Sequence, residues 1–300
     1  MTGVAIQSLE GGAADAGRLA ARLGIPCHMI GVHRFPDGEL KVTVGPTSAT
    51  TILYASLDQP NDKIISLIFA AEALRRGGAR RLVLVAPYLC YMRQDIAFLP
   101  GEAISQIVVG RLFAGAFDRI VTVDAHLHRT RTLEAVFPGC ETLNLSAIPA
   151  ITEGLSAASL DPRSVALGPD AESEPWVSDL GSRLGIDHAV ARKTRHGDRS
   201  VRSTLPDNVT IAGRPVVLFD DIVSSGGTII ACARALLAGG ATRVDVIVTH
   251  ALFPQAMLAT FAEAGIASVR STSSVPHPTN AIRLDGILAE ALAGELTCRI

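Results

Sequence analysis

An internal repeat constrains the fold of this chain more than any other feature of its sequence. A shift of 162 positions lays residues 67–86 over 229–248 with eight identical pairs in twenty. The identities include a Gly-Gly-Ala-x-Arg run, at 77–81 and again at 239–243, that leads each time into an apolar stretch of strand length. Chance similarity between Ala-rich helices explains some of the identities, but not this ordered run. The repeat predicts two halves of like architecture, related by internal duplication.

Both halves alternate apolar runs of strand length with segments of helical periodicity. This alternation is the βαβ pattern of a doubly wound parallel sheet. We therefore predict an α/β protein with two tandem doubly wound parallel-sheet domains, 1–145 and 146–300, and a site at the carboxyl ends of the strands where the two halves face each other. The predicted strands are 4–9, 52–57, 82–86, 120–124, 165–168, 188–191, 216–219 and 244–249, and the predicted helices are 13–23, 64–74, 104–113, 175–184, 229–237 and 255–264.

The composition supports two cores and argues against several partners. The 300 residues are 48% hydrophobic and only 4% aromatic, which suits two ordinary cores of Ala, Val, Ile and Leu. A net charge of −2 gives no general attraction to nucleic acid or to anionic membranes. No apolar run long enough to span a membrane and no basic start followed by an apolar core occur, and the five cysteines form no Cys-x-x-Cys pair. We expect a soluble cytoplasmic protein with reduced thiols.

A phosphate-binding loop is predicted at 224–228. The apolar run 216–219 ends in Asp220 and Asp221, and the sequence Ser-Ser-Gly-Gly-Thr then opens a helix. Two glycines allow the backbone N–H groups to approach an anion, the three hydroxyls add donors, and the helix N-terminus adds partial positive charge. The two acids would repel that phosphate, so they suit the hydroxyls of a sugar or Mg²⁺. The alternative is a solvated strand end followed by an ordinary loop.

Three motifs in the first half carry further polar residues. The run 34–39, Arg-Phe-Pro-Asp-Gly-Glu, is either the entrance of a hairpin or part of a site. In 87–95, Arg93 suits phosphate and Gln94 suits a base or a ribose, although a structural role is an equal alternative. The strand 120–124 ends at Asp124, which lies with His126 on one side of the chain as a candidate site pair. The alternative is that His126 and His128 are capping or surface histidines.

Two motifs in the second half complete the set. The strand 165–168 is followed by Asp170, a candidate ligand, and by Glu172 and Glu174, which suit the N-terminus of a helix. Residues 192–202 hold five cations in eleven positions. This run is either a solvated basic loop or a mobile cationic lid for a polyphosphate substrate.

Together these motifs resemble those of ribose-phosphate pyrophosphokinases, and the resemblance covers nearly the whole chain. The segment 98–105 resembles the archaeal-type branch of that family. The resemblance implies an enzyme with two domains of the type I phosphoribosyltransferase kind, the first on the ATP side and the second with the ribose-phosphate loop. The matching motifs, in the family's order, are Arg-Phe-x-Asp-Gly-Glu at 34–39, Pro-Tyr-x-x-Tyr-x-Arg-Gln-Asp at 87–95, Val-Asp-x-His at 123–126, Pro-Asp at 169–170, Lys-x-Arg at 193–195 and the loop after 220.

The resemblance also implies a role for each matching residue. Lys193 and Arg195 correspond to the catalytic cations, and His126 and Asp170 to ligands of Mg²⁺. The implied ATP-site residues are Phe35, Asp37 and Glu39, supplied by a neighbouring subunit of a homo-oligomer, together with Arg93 and Gln94. The implied ribose 5-phosphate residues are Asp220, Asp221, Ser224, Ser225, Gly226, Gly227 and Thr228.

The implied reaction is attack of the 1-hydroxyl of ribose 5-phosphate on the β-phosphorus of Mg-ATP, giving phosphoribosyl pyrophosphate and AMP, a step in nucleotide biosynthesis. Four departures from the family pattern are Ser224 in place of an acid, Ile96 in place of a cation, Thr194 inside the basic run, and 171–174 in place of a Gly-rich turn. A catalytically weak regulatory paralogue and a type I phosphoribosyltransferase remain as alternatives.

Overall fold

The protein divides into two compact units in the computed structural model. Unit 1 comprises Met1–Ser146, Ser274–Pro276 and Leu284–Ile300, and unit 2 comprises Ala147–Ser273 and His277–Arg283. For residues 156, 193–196 and 200–203 the backbone alone is described. The structure describes residues 3–127, 129–156, 160–196, 200–206 and 208–297.

Unit 1 contains a parallel sheet of six strands in the order β2-β1-β5-β6-β7-β8. Its strands are β1 (Val4–Ser8), β2 (Cys27–Met29), β3 (Gly31–Arg34), β4 (Leu40–Thr43), β5 (Thr50–Tyr54), β6 (Arg81–Ala86), β7 (Arg119–Val123) and β8 (Glu141–Leu145). Its helices are α1 (Ala13–Leu23), α2 (Pro60–Arg76), α3 (Ser105–Ala114), α4 (Leu133–Val136) and, from the end of the chain, α9 (Asp285–Thr297). The antiparallel pair β3–β4 forms a separate hairpin.

Local sequence explains the principal elements of unit 1. The strands β5 and β6 are buried along nearly their whole length, as expected for strands covered on both faces of a parallel sheet. Helix α1 turns its apolar residues Ala16, Leu19 and Ala20 inward, and it ends at Gly24 in the left-handed conformation. The predicted helix 13–23 is therefore confirmed.

Unit 2 contains a parallel sheet of six strands in the order β10-β9-β13-β14-β15-β16. Its strands are β9 (Val165–Gly168), β10 (Asp187–Val190), β11 (Arg192–His196), β12 (Ser200–Thr204), β13 (Pro215–Val223), β14 (Arg243–Ala251), β15 (Ser268–Thr272) and β16 (Asn280–Ile282). Its helices are α5 (Ile148–Ser156), α6 (Glu174–Leu184), α7 (Gly227–Ala238) and α8 (Met257–Glu263).

The core of unit 2 lies between the sheet and helix α7. Val216 and Leu218 of β13 alternate toward it, and Cys232, Ala233 and Leu236 of α7 meet them as fully buried side chains. Small residues on α7 let the helix approach the sheet closely. This packing fixes the N-terminus of α7 at the carboxyl end of β13.

The two units repeat one topology. Each sheet places its first strand beside its second and third, and each unit inserts an antiparallel hairpin between the second and third strands of its sheet, β3–β4 in unit 1 and β11–β12 in unit 2. Both sheets are parallel throughout. The predicted fold class, two doubly wound parallel-sheet domains related by duplication, is confirmed.

The end of the chain departs from a contiguous second domain of 146–300. Helix α9 belongs to unit 1, where buried Glu295 accepts hydrogen bonds from Arg81 at 2.7 and 3.0 Å and from Arg119 at 2.8 Å. Arg22 of α1 pairs with Asp285 at the other end of α9. Apolar Leu288 and Leu292 are buried along the same helix. The last helix is therefore part of the first unit's core.

Within the described residues, no helix is both long and apolar enough to cross a bilayer.

Candidate active site

Strand β13 is longer than the sequence predicts, and this changes the setting of the two acids. The predicted strand 216–219 extends to Val223, because pairing with β14 continues through Asp220 and Ile222. Asp220 and Asp221 therefore lie within a strand and not after it. Successive strand residues point to opposite faces, so the two carboxylates cannot act as one paired ligand.

The two acids differ in exposure. Asp221 is 6% exposed, and its Oδ1 accepts the N–H of Ile222 at 2.8 Å. Asp220 is half-buried, on the face of the sheet where its charge reaches Cys232. Burial raises the pKa of the Cys232 thiol to about 12, with the carboxylates of Asp220 and Asp170 adding to the effect, so this thiol stays protonated at neutral pH. Asp220 is thus the more accessible of the two to a ligand.

The loop after β13 has the geometry of an anion site. Gly226 adopts a φ of +71° as the cap of α7, and an added Cβ would lie 2.6 Å from the ring of Phe261. Only glycine suits both the left-handed backbone and this close approach. The first N–H groups of α7, starting at Gly227, have no partner within the helix and point out of its N-terminus. Ser224, Ser225 and Thr228 flank this turn, with Ser225 exposed.

Asp170 lies at the carboxyl end of β9, the neighbour of β13 in the sheet. Its Oδ1 accepts the N–H of Glu172 at 3.1 Å and so caps the short 3-10 turn Ala171–Ser173. Gly168 allows this turn to fold back, because an added Cβ there would lie 2.4 Å from Ser173 Oγ. Among the residues the structure describes, the other oxygen of the Asp170 carboxylate receives no hydrogen bond.

A cavity of about 950 Å³ opens beside this turn within unit 2. Its wall includes Asp170, Glu172, Glu174, His188 and Arg192. Glu174 begins α6, as predicted for an acid at a helix N-terminus, and its carboxylate lies 3.9 Å from His188 Nε2. Two of the three predicted site segments of unit 2, the turn after β9 and the foot of hairpin β11–β12, therefore border one cavity, whose lining does not include the loop 224–228.

The basic run forms a β-hairpin. Lys193 and Arg195 lie on β11, opposite Ser203 and Val201 of β12. Because the side chains of both cations lie outside the described part of the chain, the structure gives their strand and register alone. The sequence predicted a basic loop or a lid for this run, whereas the backbone forms two antiparallel strands.

The hairpin β3–β4 carries the predicted adenine-site residues at its tip. Phe35 is 40% exposed, and its ring meets that of His33 edge to face at 4.8 Å between centroids. The tip is closed by the Phe35 N–H to Glu39 O bond of 2.8 Å, and Asp37 Oδ1 accepts the N–H of Glu39 at 3.1 Å. Both strands of the hairpin are largely exposed. The motif is a hairpin, and it presents an aromatic ring and two acids on the surface of unit 1.

Arg93 and Gln94 lie in the segment that follows β6. Arg93 is exposed, whereas the Gln94 side chain donates to Glu102 at 3.3 Å. The Glu102 carboxylate also accepts the N–H of Phe98 at 2.8 Å, so it organises the segment 94–102. Tyr91 has a φ of +60°, which marks a tight turn at the start of this segment.

An ion pair between the exposed Arg129 and the Asp95 carboxylate, which the sequence did not indicate, supports this segment. Arg129 donates to Asp95 from its backbone N–H at 3.0 Å and from its guanidinium at 2.8 Å, and it also lies over the Phe98 ring. Burial raises the pKa of the Asp95 carboxyl, but the bonds to Arg129 lower it more. The pKa therefore lies below its ordinary value. The two residues are 34 positions apart, and no local pattern links them.

His126 follows β7 in unit 1. Asp124 is buried with a φ of +39°, and the backbone N–H of Ala125 donates to Asn144 Oδ1 at 2.9 Å. His126 follows this bent exit and is half-buried. His128, which the sequence placed in the same motif, lies outside the described residues.

Asp170, one of the two predicted Mg²⁺ ligands, fits a weakly ligated ion. A search of the described residues finds no group of three or more His, Cys, Asp or Glu side chains that could hold a metal. Mg²⁺ bound by one or two protein groups and by substrate phosphates needs no such group. The Asp170 carboxylate oxygen that receives no protein hydrogen bond is a ligand of the required kind.

The fold and the loop together define a class of protein: a doubly wound α/β scaffold with a glycine turn at a helix N-terminus, a geometry suited to an anion. Two family models match the chain in turn. Residues 4–116 match the N-terminal domain of ribose phosphate pyrophosphokinase, and residues 149–256 match the phosphoribosyl transferase domain.

Curated proteins agree with these models. The chain is 31% identical over 277 residues to the ribose-phosphate pyrophosphokinase of Methanopyrus kandleri, covering 92% of this chain and 94% of that protein. It is also 31% identical over 282 residues to the ribose-phosphate pyrophosphokinase of Methanosarcina acetivorans, covering 92% and 95%. Phosphoribosylpyrophosphate synthetase from Mycobacterium smegmatis has the same fold, with a TM-score of 0.84, 23% identity and 99% of each chain covered. The chain belongs to the ribose-phosphate pyrophosphokinase family and is an enzyme, with archaeal relatives as the sequence predicted.

Proposed function

We propose that this enzyme transfers the β,γ-pyrophosphoryl group of Mg-ATP to the 1-hydroxyl of ribose 5-phosphate, giving phosphoribosyl pyrophosphate and AMP. The observation that carries the proposal is the turn at Gly226, which places a glycine loop and a helix N-terminus after β13, the strand that bears Asp220. A phosphate held by the loop leaves Asp220 beside the sugar hydroxyls.

The proposed roles follow from charge and exposure. The backbone N–H groups of 224–228 and the hydroxyls of Ser224, Ser225 and Thr228 bind the 5-phosphate, and Asp220 accepts hydrogen bonds from the ribose hydroxyls. Asp221, buried and bonded to its neighbour's N–H, positions the strand that carries Asp220.

The transfer itself depends on charge neutralisation. Asp170 and His126 would hold Mg²⁺, which when bound would supply Lewis-acid stabilisation of the phosphate charge. Lys193 and Arg195, on hairpin β11–β12, stabilise the charge that develops at the transferring phosphorus. Arg93 and Gln94 hold the nucleotide in unit 1.

We further propose a homo-oligomer in which the tip of hairpin β3–β4 completes the ATP site of another copy. The tip exposes Phe35, Asp37 and Glu39 to solvent. Helix α3 adds exposed Ile107 and Val108, apolar residues suited to a contact between copies. Sedimentation should show at least a dimer. A monomer with full activity at assay concentration would contradict this proposal.

The decisive experiment incubates the purified protein with Mg-ATP and ribose 5-phosphate and measures AMP and phosphoribosyl pyrophosphate together. Both products in equal amounts are expected. Absence of both at high enzyme concentration would favour a regulatory paralogue. Release of pyrophosphate from phosphoribosyl pyrophosphate with a nitrogenous base would instead identify a phosphoribosyltransferase.

A further inference from the structure

A second cavity of unit 2 lies at the opposite edge of the sheet from the phosphate loop. It encloses about 330 Å³. Four strands begin at or beside it, because its wall contains Ser164, Pro215, Arg243 and Ser268, and all of these lie at amino ends of parallel strands. The candidate substrate residues of unit 2, in contrast, lie toward the carboxyl ends of these strands or after them. The cavity therefore needs an explanation of its own.

The acids of this cavity already have partners. Asp245 accepts two hydrogen bonds from Arg243, at 2.6 and 2.8 Å, and a third from Ser268. Asp161 accepts three from Arg163, at 2.8, 3.3 and 2.9 Å. Neither carboxylate is available to hold a cation without giving up these bonds.

Arg270 is the cation of this wall that the described residues leave unpaired. It is half-buried on β15, on the same face as Ser268, and makes no hydrogen bond or ion pair within the described part of the chain. Its charge does reach Asp245. Although burial raises it, the pKa of that carboxyl is held below its ordinary value by Arg243, by Ser268 and by the charge of Arg270.

Unit 1 shows what an equivalent edge does when it is filled. Arg81 opens β6 as Arg243 opens β14, and the two arginines coincide in the internal repeat. In unit 1 the guanidinium groups of Arg81 and Arg119, at the starts of neighbouring strands, both bind the carboxylate of Glu295 from α9. In unit 2 the corresponding strands β14 and β15 border an open cavity.

The remaining wall is apolar. Leu155 of α5, Leu160 and Pro215 line the cavity beside the charged groups. A planar guanidinium binds carboxylate and phosphate groups through two parallel hydrogen bonds, and an apolar wall favours a ligand with a carbon body. We propose that this cavity binds a small organic anion, whose carboxylate or phosphate group pairs with Arg270 while its apolar body packs on Leu155, Leu160 and Pro215.

Benzoate and phenyl phosphate are suitable probes, because they share an apolar ring and differ in the anion. Calorimetric titration of the full chain should give a dissociation constant of about 1 mM or tighter for at least one of them. Arg270→Gln should weaken that binding about tenfold or more, the loss expected for a charged hydrogen-bonded pair. Arg283→Gln, which changes an exposed arginine of the same unit outside the cavity, should leave it unchanged.

The pattern across probes identifies the anion and separates this cavity from the phosphate loop. Weakened binding of benzoate alone by Arg270→Gln identifies a carboxylate ligand, and weakened binding of phenyl phosphate alone identifies a phosphate ester. Binding that Gly226→Ala removes and Arg270→Gln retains belongs to the phosphate loop and contradicts the proposal. The proposal is also overturned if neither probe binds. The test uses no activity measurement, so its result is independent of the proposed reaction.

Discussion

The helices α2 and α7 show how one duplicated fold gives two different strand ends. At the repeat shift their last residues, Arg76 and Ala238, are equivalent, but α7 begins five residues later than α2. In unit 1 the residues at these five positions, 60–64, form the beginning of α2. In unit 2 the residues at the equivalent positions complete β13 and form the glycine turn. A phosphate loop thus requires only that the helix start later.

At the equivalent position of unit 1, the cation beside the helix start already has partners. Lys63 of α2 binds Asp58 at 2.6 Å and the backbone oxygen of Ser56 at 2.9 Å, and Pro60 supplies no N–H at the helix start. The start of α2 therefore has one backbone donor fewer than the start of α7, and its Lys63 cation is already paired. The scaffold and the site are therefore separable, because both units have the same topology and only unit 2 has the glycine turn.

The largest effect is expected from the hairpins. Lys193→Ala on β11 should lower turnover by orders of magnitude while ATP binding changes little, since loss of a donor to developing charge costs about 3–4 kcal/mol. Lys41→Ala, an exposed cation on the equivalent hairpin of unit 1, should change kcat by about twofold at most. Steady-state kinetics of both variants would decide, and a Lys193→Ala enzyme within tenfold of wild type would remove this lysine from the mechanism.

The second prediction compares the amino ends of the strands in the two units, where Glu295 binds two arginines in unit 1 and a cavity lies in unit 2. Glu295→Gln should lower the free energy of unfolding by about 2–3 kcal/mol, because it leaves two arginines without their shared carboxylate. Asp245→Asn in unit 2, whose carboxylate is more exposed, should cost about 1 kcal/mol. Urea unfolding at neutral pH measures the free energy of unfolding of both variants. Equal losses would contradict the predicted difference between the two carboxylates.

The pH dependence of the Glu295 effect has a defined sign. Although burial raises it, the pKa of the Glu295 carboxyl is held below its ordinary value by Arg81 and Arg119. Its stabilisation is therefore complete above the unfolded value of about 4.3 and is lost as the pH falls through the lower folded value. The difference between wild type and Glu295→Gln should shrink below about pH 4. A difference that grows in acid would reverse this assignment.

A third prediction compares adjacent glycines. Gly226→Ala should lower stability by about 2 kcal/mol and weaken binding of ribose 5-phosphate, because it adds a left-handed backbone penalty to a clash with Phe261. Gly227→Ala should leave stability within about 0.5 kcal/mol, since its Cβ would meet Ser225 Oγ at 3.9 Å, an ordinary contact, and its φ is not left-handed. Thermal unfolding of the two variants separates them, and equal losses would show that the turn is not strained.

The smallest effect is expected at Ser224, where the family has an acid. Ser224→Asp should weaken binding of ribose 5-phosphate by about 1 kcal/mol or more, with a larger loss at low salt than at high salt. Ser224→Asn keeps the shape without the charge and should bind nearly as well as wild type. Titration at two ionic strengths tests this. Tighter binding by the Asp variant would mean that an acid organises the loop.

The sequence predicted what local pattern controls. Helix α1 and strand β9 match their predicted bounds, because apolar periodicity and terminal glycines define both. Strand β13 was predicted too short, because Asp220 and Asp221 interrupt its apolar run although its pairing with β14 continues. Hairpin β11–β12 was missed because a strand of cations lacks an apolar pattern.

Contacts between distant residues explain the other omissions. Arg81 and Glu295 are 214 positions apart, so the assignment of α9 to unit 1 could not be read from either sequence neighbourhood. The support of the Arg93 segment by Arg129 has the same origin. The positions of the candidate site residues were predicted through motifs, whereas the bonds that hold them depend on tertiary packing.

The assignment of α9 to unit 1 has a consequence for how the chain is made. During synthesis a domain can fold once all of its residues have emerged, and domains usually do so from the N-terminus onward. Here the elements of unit 2 are all synthesised by Arg283, whereas unit 1 still lacks the helix that bears Glu295. The second unit can therefore be complete before the first, and a ribosome that stops before α9 would release a chain whose earlier half lacks its final helix.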